Sequence, residues 1–298
     1  MFTIVVDSNC DLPAEYIREH GIEVLPMPFE LDTRAHDLGY WQEISGKDFY
    51  NALRRGGVAR TSQIVPDGFA AAFTQYAKHG REVIVLLLSG GLSSTCGSAG
   101  TALEEVKETY PDCKIHLIDS INASVGHGLL AMLAVRKREE GLSGAETAAW
   151  LEEKKNSVFG LFTVDDLMYL HRGGRLSRLS AIAGSALGIK PVLNFGPDGA
   201  LALKDKARTR KAALKLLAAQ LQRSVAPGAA LDTVMIAHSD SEEDANTLAG
   251  MVKDAVQARE VAVMLMGPII GTHVGPGAVA MAFEAGMTRN EYEAAFYG

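Results

Sequence analysis

Residues 83–95 read VIVLLLSGGLSST, an unbroken apolar run followed by two glycines and a group of hydroxyl side chains. A short apolar run bounded by turn-forming residues is typical of a strand that is buried on both faces. The segment 95–110 is interpreted as the helix that follows this strand. Strand, glycine turn and helix in this order indicate one unit of a parallel sheet with helices packed on its faces.

The rest of the chain extends this pattern and then changes it. Strands predicted at 4–6 and 115–118 alternate with helices in the first half. After Gly141 the order becomes less regular, and Gly196-Pro197-Asp198-Gly199 marks a hairpin between two strands. We therefore predict an α/β protein of two domains. Residues 1–150 form a three-layer domain around a parallel sheet, and residues 151–298 form an α+β domain with a mixed sheet.

Composition narrows the class of protein. The chain has 298 residues, 47% of them hydrophobic and 22% charged, as in ordinary soluble domains. The longest apolar runs are far shorter than the roughly 20 residues of a membrane-spanning helix, and the first residues do not read as a secretory signal. The three cysteines have no metal-ligand or disulfide spacing. We expect a cytoplasmic protein that holds no metal and no cofactor.

The loop at 89–95 is the first candidate binding site. Ligands of parallel sheets bind beyond the carboxyl ends of the strands, and a helix N-terminus offers unpaired N–H groups to an anion. Ser93, Ser94 and Thr95 could supply hydroxyl donors there. The alternative is that one of them simply caps the helix.

Two further segments carry candidate side chains. Thr61 and Ser62 precede a Pro-Asp-Gly turn, where a polar loop is the simpler interpretation. His273 lies between glycines in GPIIGTHVGPG at 267–277, which we interpret as a loop whose backbone can approach a ligand closely. The alternative for His273 is a structural hydrogen bond that holds this loop.

Positive charge is concentrated in one part of the chain. The net charge is −7, which argues against general nucleic-acid binding, yet the window 172–215 holds ten Lys or Arg against two Asp, a net +8. It begins in TVDDLMYLHRGGRLSRLSAIAGSALGIKPVL, residues 163–193, at Gly173-Gly174-Arg175. Cations at a glycine turn suit an anion or a docking surface, and a solvated turn is the alternative.

Together with Val5-Val6-Asp7-Ser8 near the start, these segments resemble the DegV family over nearly the whole chain. Members of that family are bacterial proteins that bind a fatty acid, and some serve as the binding subunit of a fatty acid kinase. The resemblance implies a tunnel for the acyl chain between the two domains. It places the fatty-acid carboxylate at Thr61, Ser62, Ser93, Ser94 and His273.

Two positions depart from the family pattern. Ser94 stands where a glycine is usual, which adds a hydroxyl and changes the stiffness of the loop. Cys96 stands where an aromatic residue is common, so either a wider pocket or a different preferred acyl chain is expected.

The resemblance also implies a partner. We expect a fatty-acid carrier, not an enzyme, which presents the carboxylate to a separate ATP-dependent kinase and forms no acyl phosphate by itself. Arg172, Arg175 and Arg178 are the predicted docking residues, with pairing of Arg175 to Asp165 or Asp166 as the structural alternative. Transient contact with a membrane surface stays open.

A second class of function is kept as the alternative. A serine hydrolase could use Ser93 or Ser94 with His273, acting on a lipid or another ester. The sequence lacks a Gly-x-Ser-x-Gly motif around Ser93 and shows no acidic partner near His273. It also lacks the Gly-x-x-x-x-Gly-Lys-Ser/Thr motif of an ATP site.

Overall fold

The computed structural model describes residues 2–37, 43–176 and 188–297. Its strands are, in chain order, β1 (Thr3–Asp7), β2 (Glu23–Leu25), β3 (Phe29–Leu31), β4 (Arg34–His36), β5 (Ala59–Thr61), β6 (Val83–Leu87), β7 (Ile115–Asp119), β8 (Val158–Thr163), β9 (Lys190–Phe195), β10 (Leu201–Ala207), β11 (Ala230–His238), β12 (Gln257–Leu265) and β13 (Val279–Glu284). Its helices are α1 (Ala14–Glu19), α2 (Gly46–Arg54), α3 (Pro66–Lys78), α4 (Thr95–Thr109), α5 (Val125–Glu139), α6 (Gly144–Lys154), α7 (Leu167–Arg172), α8 (Arg210–Ser224), α9 (Glu242–Ala255), α10 (Pro268–Val274) and α11 (Arg289–Phe296), with a 3₁₀ turn at Lys155–Ser157.

The first large sheet has the strand order β2-β1-β6-β7, and all its pairs are parallel. Every residue of β6 is buried, as its continuous apolar sequence predicts. The loop 89–95 begins at the carboxyl end of β6, where parallel sheets place their ligands.

The second large sheet has the order β10-β9-β8-β13-β11-β12. Its β11–β12 pair is parallel, whereas β13 pairs antiparallel with both β11 and β8. The predicted α/β class, with one parallel and one mixed sheet, is confirmed. The division at residue 150 stays a prediction.

Helix α5 lies between the two sheets. It contacts β1 and β6 on one side and β8, β11 and β13 on the other. Its residues 125–131 and 133–135 are buried, so it lacks the polar face of a surface helix. One apolar core therefore runs from the first sheet to the near face of the second, and α8 and α9 cover a separate core on the far face.

The loop after β6 also packs on the second sheet, at the β9–β10 hairpin. The Ser89 hydroxyl donates to the carbonyl oxygen of Gly199 at 2.8 Å. A Cβ on Gly91 would lie 2.5 Å from the backbone nitrogen of Ala200, so only glycine allows this approach. The hairpin predicted at Gly196-Pro197-Asp198-Gly199 thus supports the candidate binding loop.

Two local predictions differ from the structure, and one strand was not predicted. Thr61 ends β5 in a small antiparallel sheet, β4-β3-β5, and is not in a loop. His273 lies in the last turn of α10, because Pro268 starts a helix that Gly275 ends at a positive φ. Strand β13 was not predicted, although it pairs in the middle of its sheet.

The described helices include none that combines the length and apolar character needed to cross a membrane.

Candidate functional site

A cavity lies where the loop after β6, the start of α5 and the strands β8, β9 and β13 meet. The centre of a water-sized sphere can reach about 360 Å³ of it. Its walls are mostly apolar, with Phe162, Phe195, Leu201 and Ala280 among the lining residues. The polar lining residues include Thr61, Ser62, Gln63, Ser93, Ser94, Arg175 and His273. All five residues predicted to bind a carboxylate therefore line this one cavity.

Thr61 and His273 are joined directly, although they are far apart in the chain. The Thr61 Oγ1 atom lies 2.8 Å from Nε2 of His273. Burial, with a smaller effect of the charge on Arg175, lowers the pKa of His273 to about 4. The imidazole is therefore neutral near pH 7 and carries one proton.

The position of that proton follows from the other ring nitrogen. Nδ1 of His273 is buried and has no hydrogen-bond partner among the residues that the structure describes. A proton on Nδ1 would be an orphaned buried donor, which is rarer and costlier than an orphaned acceptor. We therefore assign the proton to Nε2, which donates to Thr61. The Thr61 hydroxyl hydrogen is then available to a ligand in the cavity.

Gly173 leaves space for the His273 ring. A Cβ at this glycine would lie 2.4 Å from Nδ1 of His273, which is closer than real side chains approach. The glycine turn after α7 therefore gives the ring its space.

The serine loop presents its hydroxyls next to this pair. The Ser93 hydroxyl lies 2.8 Å from that of Thr95, and Ser93 Oγ also accepts from the backbone N–H of Thr95 at 3.3 Å. Ser94 occupies the N-cap position of α4 but makes no side-chain capping bond. Ser94 therefore does not cap the helix through its side chain.

Arg175 links the glycine turn to the serine loop. Its Nε donates to the carbonyl oxygen of Leu92 at 3.1 Å, and its Nη1 donates to that of Gly173. Burial lowers the pKa of Arg175, but a guanidinium stays charged near neutral pH. The cavity wall therefore includes a positive charge, as expected of a glycine turn that suits an anion.

The proposed bracing partners of Arg175 have other contacts. Asp165 pairs with Lys190, and Asp166 caps α7 through the backbone N–H of Met168 at 2.8 Å. Arg172 is exposed and lies over the ring of Tyr169, with 4.5 Å between its guanidinium carbon and the ring centroid. Arg178 lies outside the described residues.

Three further features were not predicted from the sequence. Gln63 lines the cavity, and its Nε2 donates to Ser98 Oγ at 3.2 Å. Ser124 also lines it and has φ of 53°, which nothing in the sequence indicates. Cys96 is not among the described lining residues. Its thiol donates to the carbonyl oxygen of Leu88 at 3.2 Å, so the smaller side chain does not widen this cavity directly.

The neutrality of His273 can be measured in the ligand-free protein. We expect its imidazole proton resonance to stay constant from pH 8 to about pH 5, because burial opposes the charged form. In the unfolded chain this histidine has a pKa near 6.5, so the unfolded state takes up a proton before the folded state does. The contribution of His273 to the free energy of unfolding is therefore complete above pH 6.5 and falls as the pH drops toward 4. NMR titration checks this, and His273→Gln identifies the resonance. A midpoint above about 6 would contradict the prediction.

Comparison with known proteins places this geometry in a family. The model of the DegV family, described as uncharacterised proteins, matches residues 1–286. A DegV domain-containing protein of Clostridium perfringens is 38% identical over 283 residues, which is 95% of this chain and 97% of the relative. The chain belongs to the DegV family.

Solved structures of DegV proteins share the fold. A DegV family protein of Thermus thermophilus, described by its fatty acid binding, matches with a TM-score of 0.86 and 28% identity over 95% of this chain and 99% of that one. A fatty acid binding DegV family protein of Streptococcus agalactiae matches with a TM-score of 0.84 and 28% identity over 96% and 99%.

Proposed function

We propose that this DegV protein binds a long-chain fatty acid, with the acyl chain in the cavity and the carboxylate among Thr61, Ser62, Ser93, Ser94 and His273. One observation carries the proposal: these five side chains, distant in sequence, line the same largely apolar cavity. The fatty acids bound by its structural relatives support the same ligand class.

The apolar wall supplies most of the affinity. Each buried CH₂ group contributes about 0.8 kcal/mol, so a chain of 14 to 18 carbons needs few polar contacts to bind tightly. The wall formed by residues such as Phe162 and Phe195 suits a flexible chain better than a polar metabolite.

The polar wall prevents the carboxylate from being buried without partners, which would be costly. With His273 neutral, hydroxyl donors and the guanidinium of Arg175 bear the interaction. A hydrogen bond to a charged group is worth about 1.5–3 kcal/mol. The ligand is thereby held ionised, with an oxygen that remains nucleophilic.

We further propose that a separate kinase acts on this oxygen in the cytoplasm of a bacterium. A carboxylate oxygen would attack the γ-phosphorus of ATP bound to the kinase. The new C–O–P linkage forms as the bond from Pγ to the bridging oxygen breaks, and ADP leaves with the electron pair. Arg172, Arg175 and Arg178 are the proposed docking residues, since a basic patch speeds the approach of an acidic partner.

The hydrolase alternative is less well supported. Nε2 of His273 bonds to Thr61, and the Ser93 hydroxyl bonds to Thr95, so neither serine is paired with the histidine. A histidine whose pKa is about 4 is a weak general base near pH 7. No carboxylate orients its Nδ1 within the part of the chain that the structure describes.

Lipid analysis tests the binding proposal. We expect denaturing extraction of the purified protein to release about one acyl chain per molecule, identified by mass spectrometry. Palmitate at 100 times its Kd should stabilise lipid-free protein by about 2.7 kcal/mol. Butyrate is the matched control, because it has the same carboxylate without the chain. Lipid-free purified protein that no C14 to C18 acid stabilises would overturn the proposal.

The kinase step is tested separately, with protein that already carries a fatty acid. Loaded protein is incubated with ATP and a bacterial fatty acid kinase, and acyl phosphate is trapped with hydroxylamine as the hydroxamate. Trapped product supports presentation. Its absence with loaded protein would leave fatty-acid binding standing and remove the kinase role.

A further inference from the structure

Helix α10 supplies one wall of the cavity of the candidate site. Its lining residues are Ile269, Ile270, His273 and Val274. The N-cap residue of α10 is Gly267, which directly follows another lining residue, Met266. A contact that holds Gly267 in place therefore also positions His273 and the wall around it.

A buried carboxylate makes that contact. Asp11, 4% exposed, follows β1, and its Oδ1 accepts from the backbone N–H of Gly267 at 2.8 Å. Its Oδ2 accepts from the hydroxyl of Ser124, which lines the cavity at the start of α5. One carboxylate thus joins two walls of the cavity, whose residues lie 256 and 113 positions away from it in the chain.

The backbone is unusual at each point of this link. A Cβ on Gly267 would lie 2.6 Å from Oδ1 of Asp11, so the approach requires glycine. Asp11 has φ of 50°, and Ser124 has φ of 53° with ψ of −135°. Positive φ is uncommon outside glycine, although Asp and Asn tolerate it better than Ser. Unfavourable backbone at both ends of a buried hydrogen bond points to a functional contact.

The surroundings of Asp11 allow its charge to change near neutral pH. Burial raises the pKa of Asp11 to about 7 against its two hydrogen bonds, and the charge on Asp7 of β1 adds a smaller increase. The charge of Asp11 also acts on Tyr50 of α2, whose hydroxyl pKa burial raises well above its usual value. His127 of α5 lies 3.9 Å from Asp7, and burial lowers its pKa to about 4. Tyr50 and His127 therefore stay neutral near pH 7 while Asp11 titrates.

We propose that Asp11 is a positioning residue for ligand binding, which in its ionised form holds α10 and Ser124 in the arrangement that binds a fatty acid and in its protonated form holds them less firmly. This inference rests on the proposed function. A hydrogen bond to an ionised carboxylate is stronger than one to a neutral carboxyl group. Fatty-acid binding thus favours the ionised form, so the affinity is full above about pH 7 and falls as the pH drops below it.

Asp11→Asn tests this role, because asparagine has the shape of aspartic acid, tolerates positive φ and carries no charge. The affinity for myristate is measured by calorimetry from pH 8.5 to pH 5.5 in the wild-type and variant proteins. Titration of the ligand is common to both proteins, so the ratio of their affinities follows Asp11. We expect the wild type to bind about tenfold more tightly at pH 8.5, and within about twofold of the variant at pH 5.5.

Proton release is a second measurement, which needs only the wild-type protein. Myristate binding at pH 6.5 is followed by calorimetry in two buffers of different ionisation enthalpy. Because the complex favours ionised Asp11, binding should release about half a proton per ligand.

Asp7→Asn is the matched control. Asp7 is fully buried with its pKa raised to about 7 by burial, and it accepts from the backbone N–H groups of Leu88 and Asn9 and not from α10. This variant should keep the pH-dependent affinity. Its midpoint should move to lower pH, because the charge on Asp7 no longer raises the pKa of Asp11.

Each result decides for or against the positioning role. An affinity ratio that falls with pH, together with proton release, supports it. A ratio that is the same at every pH would show a purely structural bond and overturn the role, with fatty-acid binding intact. Absence of proton release would overturn it even if Asp11→Asn did not fold, and so would loss of the pH dependence in Asp7→Asn. Wild-type protein that does not bind myristate at pH 8.5 would refute the proposed function itself.

Discussion

Arg289→Met is expected to lower the melting temperature by roughly 6–12 °C, corresponding to a loss of about 3 kcal/mol in the free energy of unfolding. Arg289 is 3% exposed. Its Nη1 donates to the carbonyl oxygen of Ile121 at 2.6 Å and to that of Gly196 at 3.2 Å, and its Nη2 donates to that of Val158 at 2.8 Å. One side chain thus connects the loop after β7, the β9–β10 hairpin and the start of β8.

The size of the effect follows from what the substitution leaves behind. Methionine keeps much of the apolar volume but donates no hydrogen bond, so three carbonyl groups lose a charged donor at a buried position. Burial lowers the pKa of Arg289 to about 10, which still keeps the guanidinium charged near pH 7.

Calorimetry of the ligand-free protein measures the change. Arg208→Met is the matched control, because that arginine is exposed, and its effect should stay within about 0.5 kcal/mol. If the Arg289→Met protein melted within about 2 °C of wild type, these hydrogen bonds would not hold the sheets together.

Ala280→Leu is expected to shorten the preferred acyl chain by about three carbons and to weaken palmitate binding roughly fiftyfold. Ala280 lines the cavity of the candidate site, and on β13 it lies opposite Phe162 of β8, which also lines it. The larger side chain occupies space that the proposed ligand needs. Displacing three CH₂ groups costs about 2.4 kcal/mol at 0.8 kcal/mol each.

The measurement compares the affinities of the wild-type and variant proteins for a series of fatty acids from C10 to C18. Ala282→Leu is the control, since Ala282 lies two residues along the same strand but does not line the cavity. Overpacking there should cost about 1–3 kcal/mol of stability without changing the preferred length. If Ala280→Leu kept the wild-type preference, the acyl chain would not occupy this cavity.

The sequence by itself determined the architecture and the composition of the site. Continuous apolar residues in β6 and the glycine-bounded loop after it predicted a buried parallel strand with a binding loop at its carboxyl end. Such local patterns suffice because a continuous apolar run and the glycines of a turn are features of neighbouring positions in the sequence. The motifs shared with the DegV family then selected Thr61, Ser93 and His273, which line one cavity.

Local sequence patterns did not predict the secondary structure at positions where neighbouring residues do not determine it. Strand β13 was missed because a buried central strand of few residues among glycines has no distinctive period. The glycines around His273 indicate a loop, but Pro268 begins α10 and places His273 in its last turn.

Only the tertiary structure decided how the site works. Thr61 and His273 are separated by 212 positions, yet the fold brings the Thr61 hydroxyl within 2.8 Å of Nε2 of His273. Gly173 fits against the His273 ring, and Arg289 binds carbonyls from three segments. These contacts depend on how two sheets pack around α5. Packing of that kind is fixed by the whole core, so no single stretch of sequence specifies it.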